Sequence, residues 1–156
     1  MLMTNLTKIR LLSKNERRLL LKSVLLLPVI HIALLILDYY RLRKVMENLT
    51  PLKPIDKSVS EKAILQRAQE IAQIVSIAAQ YGLYKATCLR RSLLVWWFLR
   101  KEGVGSKICF GVRMSECQLE AHAWVEYQGT IVNDSLKIHD QYTVLDEVLP
   151  LIRTGL

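Results

Sequence analysis

The apolar residues of this chain change their spacing near residue 105. Between residues 60 and 80 they recur every three or four positions, which is the spacing of one helix face. After residue 105 they alternate with polar residues, which is typical of strands. A second helix is predicted over Cys88–Arg100, and strands are predicted over Lys107–Arg113, Ala121–Tyr127 and Thr130–Asn133. Helices followed by a run of antiparallel strands indicate an α+β fold.

An apolar segment, Leu19–Leu37, lies in the N-terminal third and is interrupted by Lys22, Ser23, Pro28 and His31. Its longest uncharged run has 15 residues, fewer than the ~20 needed to cross a bilayer. The segment can be a helix pair packed on protein, a helix on a membrane surface, or a membrane span, and we favour the first interpretation. Ser13 followed by Glu16 predicts a capping box at the start of this helix.

Positive charge is concentrated in the same third of the chain. Residues 1–57 contain 11 Lys and Arg against 4 Asp and Glu, whereas residues 58–156 contain 11 against 10. This asymmetry predicts an anionic or protein partner for residues 1–57, such as a membrane surface or an acidic peptide. No nucleic-acid-binding signature is present, so no nucleic-acid partner is expected. Two prolines in Thr50–Asp56 predict a linker, which gives a basic helical region, 1–57, and a second domain, 58–156.

Three cysteines, Cys88, Cys109 and Cys117, are too few for a disulfide framework, and their spacing is not that of a zinc site. We therefore expect reduced thiols in the cytoplasm, with membrane association as a further possibility, and no metal or cofactor. Cys109 lies in a predicted strand and is expected in the core, whereas Cys117 is expected to be a surface thiol.

Cys88 is the candidate nucleophile because it begins a predicted helix, where free N–H groups and the helix dipole stabilise a thiolate. Thr87 is expected to cap that helix. His122 is the candidate base. It lies on a predicted strand and shares one face with Trp124 and Glu126. Taken singly, a cysteine or a histidine of this kind is more often structural.

Asp134 is predicted to orient His122 through the register of a hairpin. A two-residue Gln128-Gly129 loop would pair His122 with Ser135 and turn Asp134 to the other face. A three-residue loop with left-handed Gly129 would place Asp134 directly opposite His122. The latter register is our prediction, and in it Asn133 points away from the site.

The chain resembles the lasso-peptide biosynthesis B2 proteins, the leader peptidases of lasso-peptide maturation. The resemblance is carried by Ala86–Leu93 (ATCLRRSL), Gly111-Val112-Arg113, Ala121–Glu126 (AHAWVE), Gly129 and Asn133-Asp134. It implies a papain- or transglutaminase-like core in which the helix bearing the cysteine packs on an antiparallel sheet. It further implies a catalytic triad of Cys88, His122 and Asp134, and Trp124 is a candidate for substrate binding.

The resemblance also implies a reaction and its partners. The substrate would be a lasso precursor, cut between leader and core, with a separate leader-binding B1 protein and a macrolactam cyclase as partners. Residues 1–57 are the candidate docking surface for B1, leader or membrane. Two other functions remain open: a different transglutaminase-like acyl transferase or amidase, and a non-catalytic scaffold of the maturation complex. The intact Cys, His and Asp argue against the scaffold.

Overall fold

A computed structural model of the chain describes residues 13–52, 59–82, 86–115 and 118–145. Within these residues four helices come first: α1 (Lys14–Ile36), α2 (Tyr39–Leu49), α3 (Glu61–Tyr81) and α4 (Cys88–Lys101). They are followed by strands β1 (Lys107–Ser115), β2 (Gln118–Tyr127) and β3 (Thr130–Ile131), a short helix α5 (Ile138–Gln141) and strand β4 (Thr143–Val144). The predicted α+β order is confirmed.

The four strands form one antiparallel sheet in the order β3-β2-β1-β4. The alternation along β2 buries residues on both sides. Val125 and Tyr127 face the helices and belong to the main hydrophobic core. Trp124 faces the opposite side, where it packs with Cys109, Ile131 and Ile138 beneath α5. Both faces of the sheet are therefore covered along the second half of β2, whereas Gln118, Leu119 and Ala121 at its start are exposed.

The helix ends follow the local signals in the sequence. Ser13 and Glu16 form the predicted capping box of α1. Ser60 caps α3 by accepting a hydrogen bond from the Ala63 N–H, and the N–H of Gly82 closes its C-terminus on the Ala78 carbonyl. Helix α1 continues through Pro28 without a break.

The N-terminal helices are a layer of the main core. Leu27 and Ile30 of α1 and Met46 of α2 are buried in the same hydrophobic cluster as Ile71 of α3 and Leu93 of α4. The predicted boundary at residues 57 and 58 therefore separates two segments that share one core. Part of the predicted linker, residues 53–56, lies outside the described residues.

Hydrogen bonds between distant parts of the chain fix the end of α2 to α4. The indole N–H of Trp97 donates to the Thr50 hydroxyl at 3.0 Å, and the Arg100 guanidinium donates to the Thr50 carbonyl at 2.7 Å. The helix that carries Cys88 is thus supported by the sheet on one side and by the N-terminal helices on the other.

Candidate active site

Cys88 is the first residue of α4, as predicted, and its side chain is half-buried. Thr87 occupies the N-cap position, but the prediction that it caps the helix is wrong, since its side chain makes no capping hydrogen bond. The hydroxyl of Thr87 therefore accepts no hydrogen bond from the N–H groups of the first turn. Those groups and the positive end of the helix dipole lie in the turn that begins with Cys88.

His122 and Asp134 are in direct contact. Nε2 of His122 lies 2.8 Å from Oδ2 of Asp134, and both side chains are largely buried. The other carboxylate oxygen accepts a hydrogen bond from the Ser135 N–H at 2.7 Å, which fixes the carboxylate. An aspartate on Nε2 keeps the proton on that nitrogen and leaves Nδ1 as the basic nitrogen of the neutral ring.

The hairpin reaches this arrangement by a register that we did not predict. Tyr127 pairs with Thr130 and Glu126 with Ile131, so the loop is the two-residue Gln128-Gly129 turn. Both turn residues have positive φ, 48° at Gln128 and 77° at Gly129, as a type I′ turn requires. The prediction of a left-handed Gly129 is confirmed, whereas the three-residue loop is wrong.

Asp134 still reaches His122 because the strand ends early. The N–H of Val132 makes the last ladder bond, to the Val125 carbonyl at 2.9 Å. The side chain of Asn133 then replaces the backbone, since its Oδ1 accepts from the Val125 N–H at 2.7 Å. From there the chain bends out of the sheet, so Asp134 no longer obeys the alternation of the strand.

Asn133 also takes part in a buried network that we did not predict. Its Nδ2 donates to the Ser92 hydroxyl at 2.9 Å, and that hydroxyl donates to the Ala123 carbonyl at 2.9 Å. Ser92 is fully buried and lies one helical turn after Cys88, while Ala123 directly follows His122. The network therefore ties the cysteine-bearing helix to the histidine-bearing strand. A serine four residues after Cys88 in an apolar helix was the available signal.

Two aromatic rings pack near the His122 imidazole. The ring of Trp124 stacks against it with centroids 6.3 Å apart, and the ring of Tyr142 does so at 5.2 Å. Gly111 pairs with His122 across the sheet. A Cβ on Gly111 would lie 2.8 Å from Trp124 and 3.0 Å from Tyr142, so the glycine makes room for this packing. Tyr142 lies outside every predicted element, and we did not identify it from the sequence.

Trp124 is fully buried, which is against its predicted role in substrate binding. Its indole N–H donates to the Glu126 carboxylate at 2.7 Å. The same carboxylate pairs with Lys107 at 3.1 Å and with His139 at 3.2 Å. Although burial alone would raise the pKa of Glu126, the hydrogen bonds from Trp124 and Lys107 hold it below the usual value. Trp124 is thus a fixed support for the imidazole.

His122 and Asp134 are in contact in the structure. Among the described residues, no hydrogen bond joins Cys88 to His122. Catalytic hydrogen bonds often tighten only once substrate is bound, so Cys88 stays the predicted nucleophile.

Cys109 is buried, as predicted, and burial raises the pKa of its thiol to about 11, which makes it a poor nucleophile. Cys117 lies outside the described residues. Within the described ranges, no group of three or more His, Cys, Asp or Glu could hold a metal ion.

Comparison with known proteins places this fold and site in a class. The sequence model of the transglutaminase-like superfamily matches residues 33–147, which is more than half of the chain. The chain belongs to the transglutaminase-like superfamily, in agreement with the core predicted from its sequence.

A curated relative is also similar in sequence. The chain is 26% identical over 91 residues to the microcin J25-processing protein McjB of Escherichia coli. The match covers 58% of this chain and 41% of that protein, so the chain spans less than half the length of this relative. No solved structure matches the chain significantly.

Proposed function

We propose that the chain is a cysteine peptidase that removes the leader from a lasso-peptide precursor, with Cys88 as nucleophile, His122 as base and Asp134 as orienting carboxylate. The observation that carries the proposal is the 2.8 Å contact between His122 and Asp134, on a strand hydrogen-bonded to the helix that begins at Cys88. A thiol at a helix start, an imidazole and a carboxylate on that imidazole are the parts that a nucleophile–base–orienter site needs.

The chemistry follows from these positions. The thiolate of Cys88 attacks the carbonyl carbon at the end of the leader, forming a C–S bond and a tetrahedral oxyanion. The backbone N–H of Cys88, at the helix start, is the proposed donor to that oxyanion. The His122 imidazolium gives its Nδ1 proton to the leaving amine as the C–N bond breaks. Water, deprotonated by His122, then hydrolyses the thioester and restores the thiol.

The substrate class rests on sequence similarity. The relative from Escherichia coli is named for processing microcin J25, and the superfamily match covers the segment that holds all three site residues. We extend this to a leader–core junction as the bond cleaved, to a B1 protein as the partner that presents the leader, and to a macrolactam cyclase as the consumer of the released core amine.

The test is incubation of the purified chain with a lasso precursor and B1, with leader release followed by mass spectrometry. Cys88→Ala should abolish cleavage, and Asp134→Asn should slow it about a hundred- to ten-thousand-fold because the imidazole loses its orienting carboxylate. Asp140→Asn, a change of the same kind at an exposed position, should cleave at the wild-type rate. Undiminished cleavage by Cys88→Ala would remove the thiol from the mechanism.

A further inference from the structure

The outward face of α1 is apolar over four turns. Six of its large side chains are 56% to 76% exposed, and their spacing of three or four places them on one side of the helix: Leu21, Leu25, Val29, Ile32, Leu35 and Ile36. We call these six residues the α1 outer face. The opposite side, with Ser23, Leu27 and Ile30, is buried against the core. Among the described residues, the α1 outer face is therefore an exposed, contiguous apolar surface of a kind that usually marks an interaction site.

The first turns of the same side of α1 are cationic. Lys14, Arg17 and Arg18 are exposed and precede the apolar residues at helical spacing, and Lys22 lies at the edge of the α1 outer face. Within Lys14–Ile36 the only acidic residue is Glu16, whose carboxylate accepts from the Ser13 N–H in the capping box. The surface therefore combines apolar area with positive charge.

A groove beside the α1 outer face adds further apolar surface and further positive charge. It lies between α1 and the end of α4, has a volume of about 480 Å³, and includes Leu25, Trp97, Lys22 and Lys101 in its lining. Burial, together with the nearby charge of Lys22, lowers the pKa of Lys101. The ammonium of Lys101 lies 3.7 Å from the centroid of the Trp97 ring.

The carboxylate in the lining of the groove does not neutralise Lys22 or Lys101. Glu102 also lines the groove, but its carboxylate is held by Arg67 at 2.8 Å and 3.0 Å. Among the described residues, no carboxylate forms an ion pair with Lys22 or Lys101. The groove therefore suits an anionic group whose neighbouring atoms are apolar.

We propose that α1 docks the protein on an anionic phospholipid bilayer, lying in the membrane plane with its outer face among the acyl chains and a lipid phosphate between Lys22 and Lys101. Interfacial helices combine an apolar face with cations in this way. Each basic residue close to an anionic membrane adds to the attraction.

The geometry favours a helix lying in the membrane plane over one that spans the bilayer. By length and composition α1 could cross a membrane, with a mean hydropathy of 2.5 over its most apolar window. Its exposed apolar face, however, runs from Leu21 to Ile36, about 22 Å at 1.5 Å per residue, which is shorter than the ~30 Å hydrocarbon layer. A span would also have to remove Leu27 and Ile30 from the core.

A second copy of the chain is a poorer occupant. It would cover the apolar residues, but α1 of the copy would bring the same cations and no free carboxylate to meet them. The anionic lipid supplies both the apolar phase and the counter-charge.

Vesicle flotation of the full chain tests the proposal, and it can be run with Cys88→Ala protein, so it does not depend on cleavage. The protein should float with phosphatidylcholine vesicles that contain phosphatidylglycerol, more weakly with phosphatidylcholine alone, and less at high salt. Leu25→Glu should weaken binding about tenfold or more, because a charge would replace a leucine that lies among the acyl chains in the bound state. Lys22→Gln and Lys101→Gln should each weaken it about fivefold, only with the anionic vesicles.

Leu119→Glu is the matched control, since Leu119 is a similarly exposed leucine on β2, and it should bind as the wild type does. Val29→Ser is a milder second variant of the α1 outer face, and circular dichroism checks that each variant is folded. Binding that is absent, or equal for Leu25→Glu and Leu119→Glu, overturns the proposal. A dimer in light scattering that Leu25→Glu dissociates, without vesicle binding, identifies a second copy as the occupant and also overturns it. Resistance to carbonate extraction would show a span instead.

Discussion

Asn133 and Asp134 both help to position the imidazole of His122, each through a different contact. The Asn133 side chain replaces one backbone acceptor of the ladder, which ends β3 and frees the next residue to leave the sheet. Asp134 then approaches His122 from outside the strand alternation. Substituting either residue therefore disturbs His122, but by different routes. Loss of Asp134 removes the orienting carboxylate, whereas loss of Asn133 removes the bend that delivers it.

Ser92 connects Asn133 to the helix of Cys88, and we expect Ser92→Ala to destabilise the fold. Its hydroxyl is fully buried, donates to the Ala123 carbonyl and accepts from Asn133. Leaving those partners unsatisfied should lower the free energy of unfolding by about 1–3 kcal/mol in urea titrations. Ser106→Ala is the matched control, because the Ser106 hydroxyl is buried without a hydrogen-bond partner in the described part of the chain. Equal losses for the two variants would contradict the role given to the network.

Glu126 should make stability depend on pH. Hydrogen bonds hold its pKa in the folded state below the ordinary value of 4.5, so the unfolded chain binds the proton more readily. Its contribution is therefore present above pH 4.5 and is lost as the pH falls through the lower, folded value. Urea titrations from neutral pH downward should show a smaller acid-induced loss for Glu126→Gln than for the wild type. Glu120→Gln, at a surface ion pair with Arg113, should keep the wild-type dependence.

Among the secondary-structure elements, the long helices were predictable and the hairpin register was not. Helices α3 and α4 carry apolar residues at helical spacing and have polar residues at their ends, so local sequence specifies them. The observed two-residue loop was one of the two registers considered, but strand alternation in that register turns Asp134 away from His122. Asp134 reaches His122 because the chain leaves the sheet after Asn133, which contacts Ser92, a residue 41 positions away that no local pattern reveals. Helix α5 and strand β4 have four and two residues, which is too short for a periodic signal, and Tyr142 lies between them.

Strand β1 contributes Gly111, which has no side chain and so leaves room for Trp124 and Tyr142 beside His122. We expect Gly111→Ala to destabilise the protein by about 1–3 kcal/mol, because the new methyl group would press on Trp124 and Tyr142. Cleavage should fall as well, since both rings support His122. Thermal unfolding and tryptophan fluorescence would report the change. Gly105→Ala, where an added Cβ meets nothing within 4 Å, should have little effect; a comparable loss there would show that the packing around Gly111 is not special.

For the whole molecule, the N-terminal helices have two roles on opposite sides of α1. The inner side completes the core that supports α4, and the outer face is the surface proposed to meet the bilayer. The charge asymmetry predicted a partner for residues 1–57. The sequence alone did not show that α1 shares a core with α3 and α4, because that contact joins segments on either side of the proline-rich linker.

Leu27 tests the inner side of α1. It is 1% exposed, so Leu27→Ala should lower the free energy of unfolding by about 2–5 kcal/mol in a single transition shared with the rest of the chain. Leu35→Ala removes the same atoms from a residue that is 72% exposed and should be nearly neutral in the absence of lipid. A separate early transition for Leu27→Ala would mean that α1 unfolds independently of the rest of the core.

The central claim is that Cys88, His122 and Asp134 act as one unit, and the alkylation rate of Cys88 tests it without a substrate. Peptide mapping after timed exposure to iodoacetamide at neutral pH separates Cys88 from the buried Cys109. We predict that Cys88 reacts fastest in the wild type, slower in Asp134→Asn and slowest in His122→Ala, while Cys109 stays unmodified in all three folded proteins. Equal Cys88 rates in the wild type and His122→Ala would contradict the account.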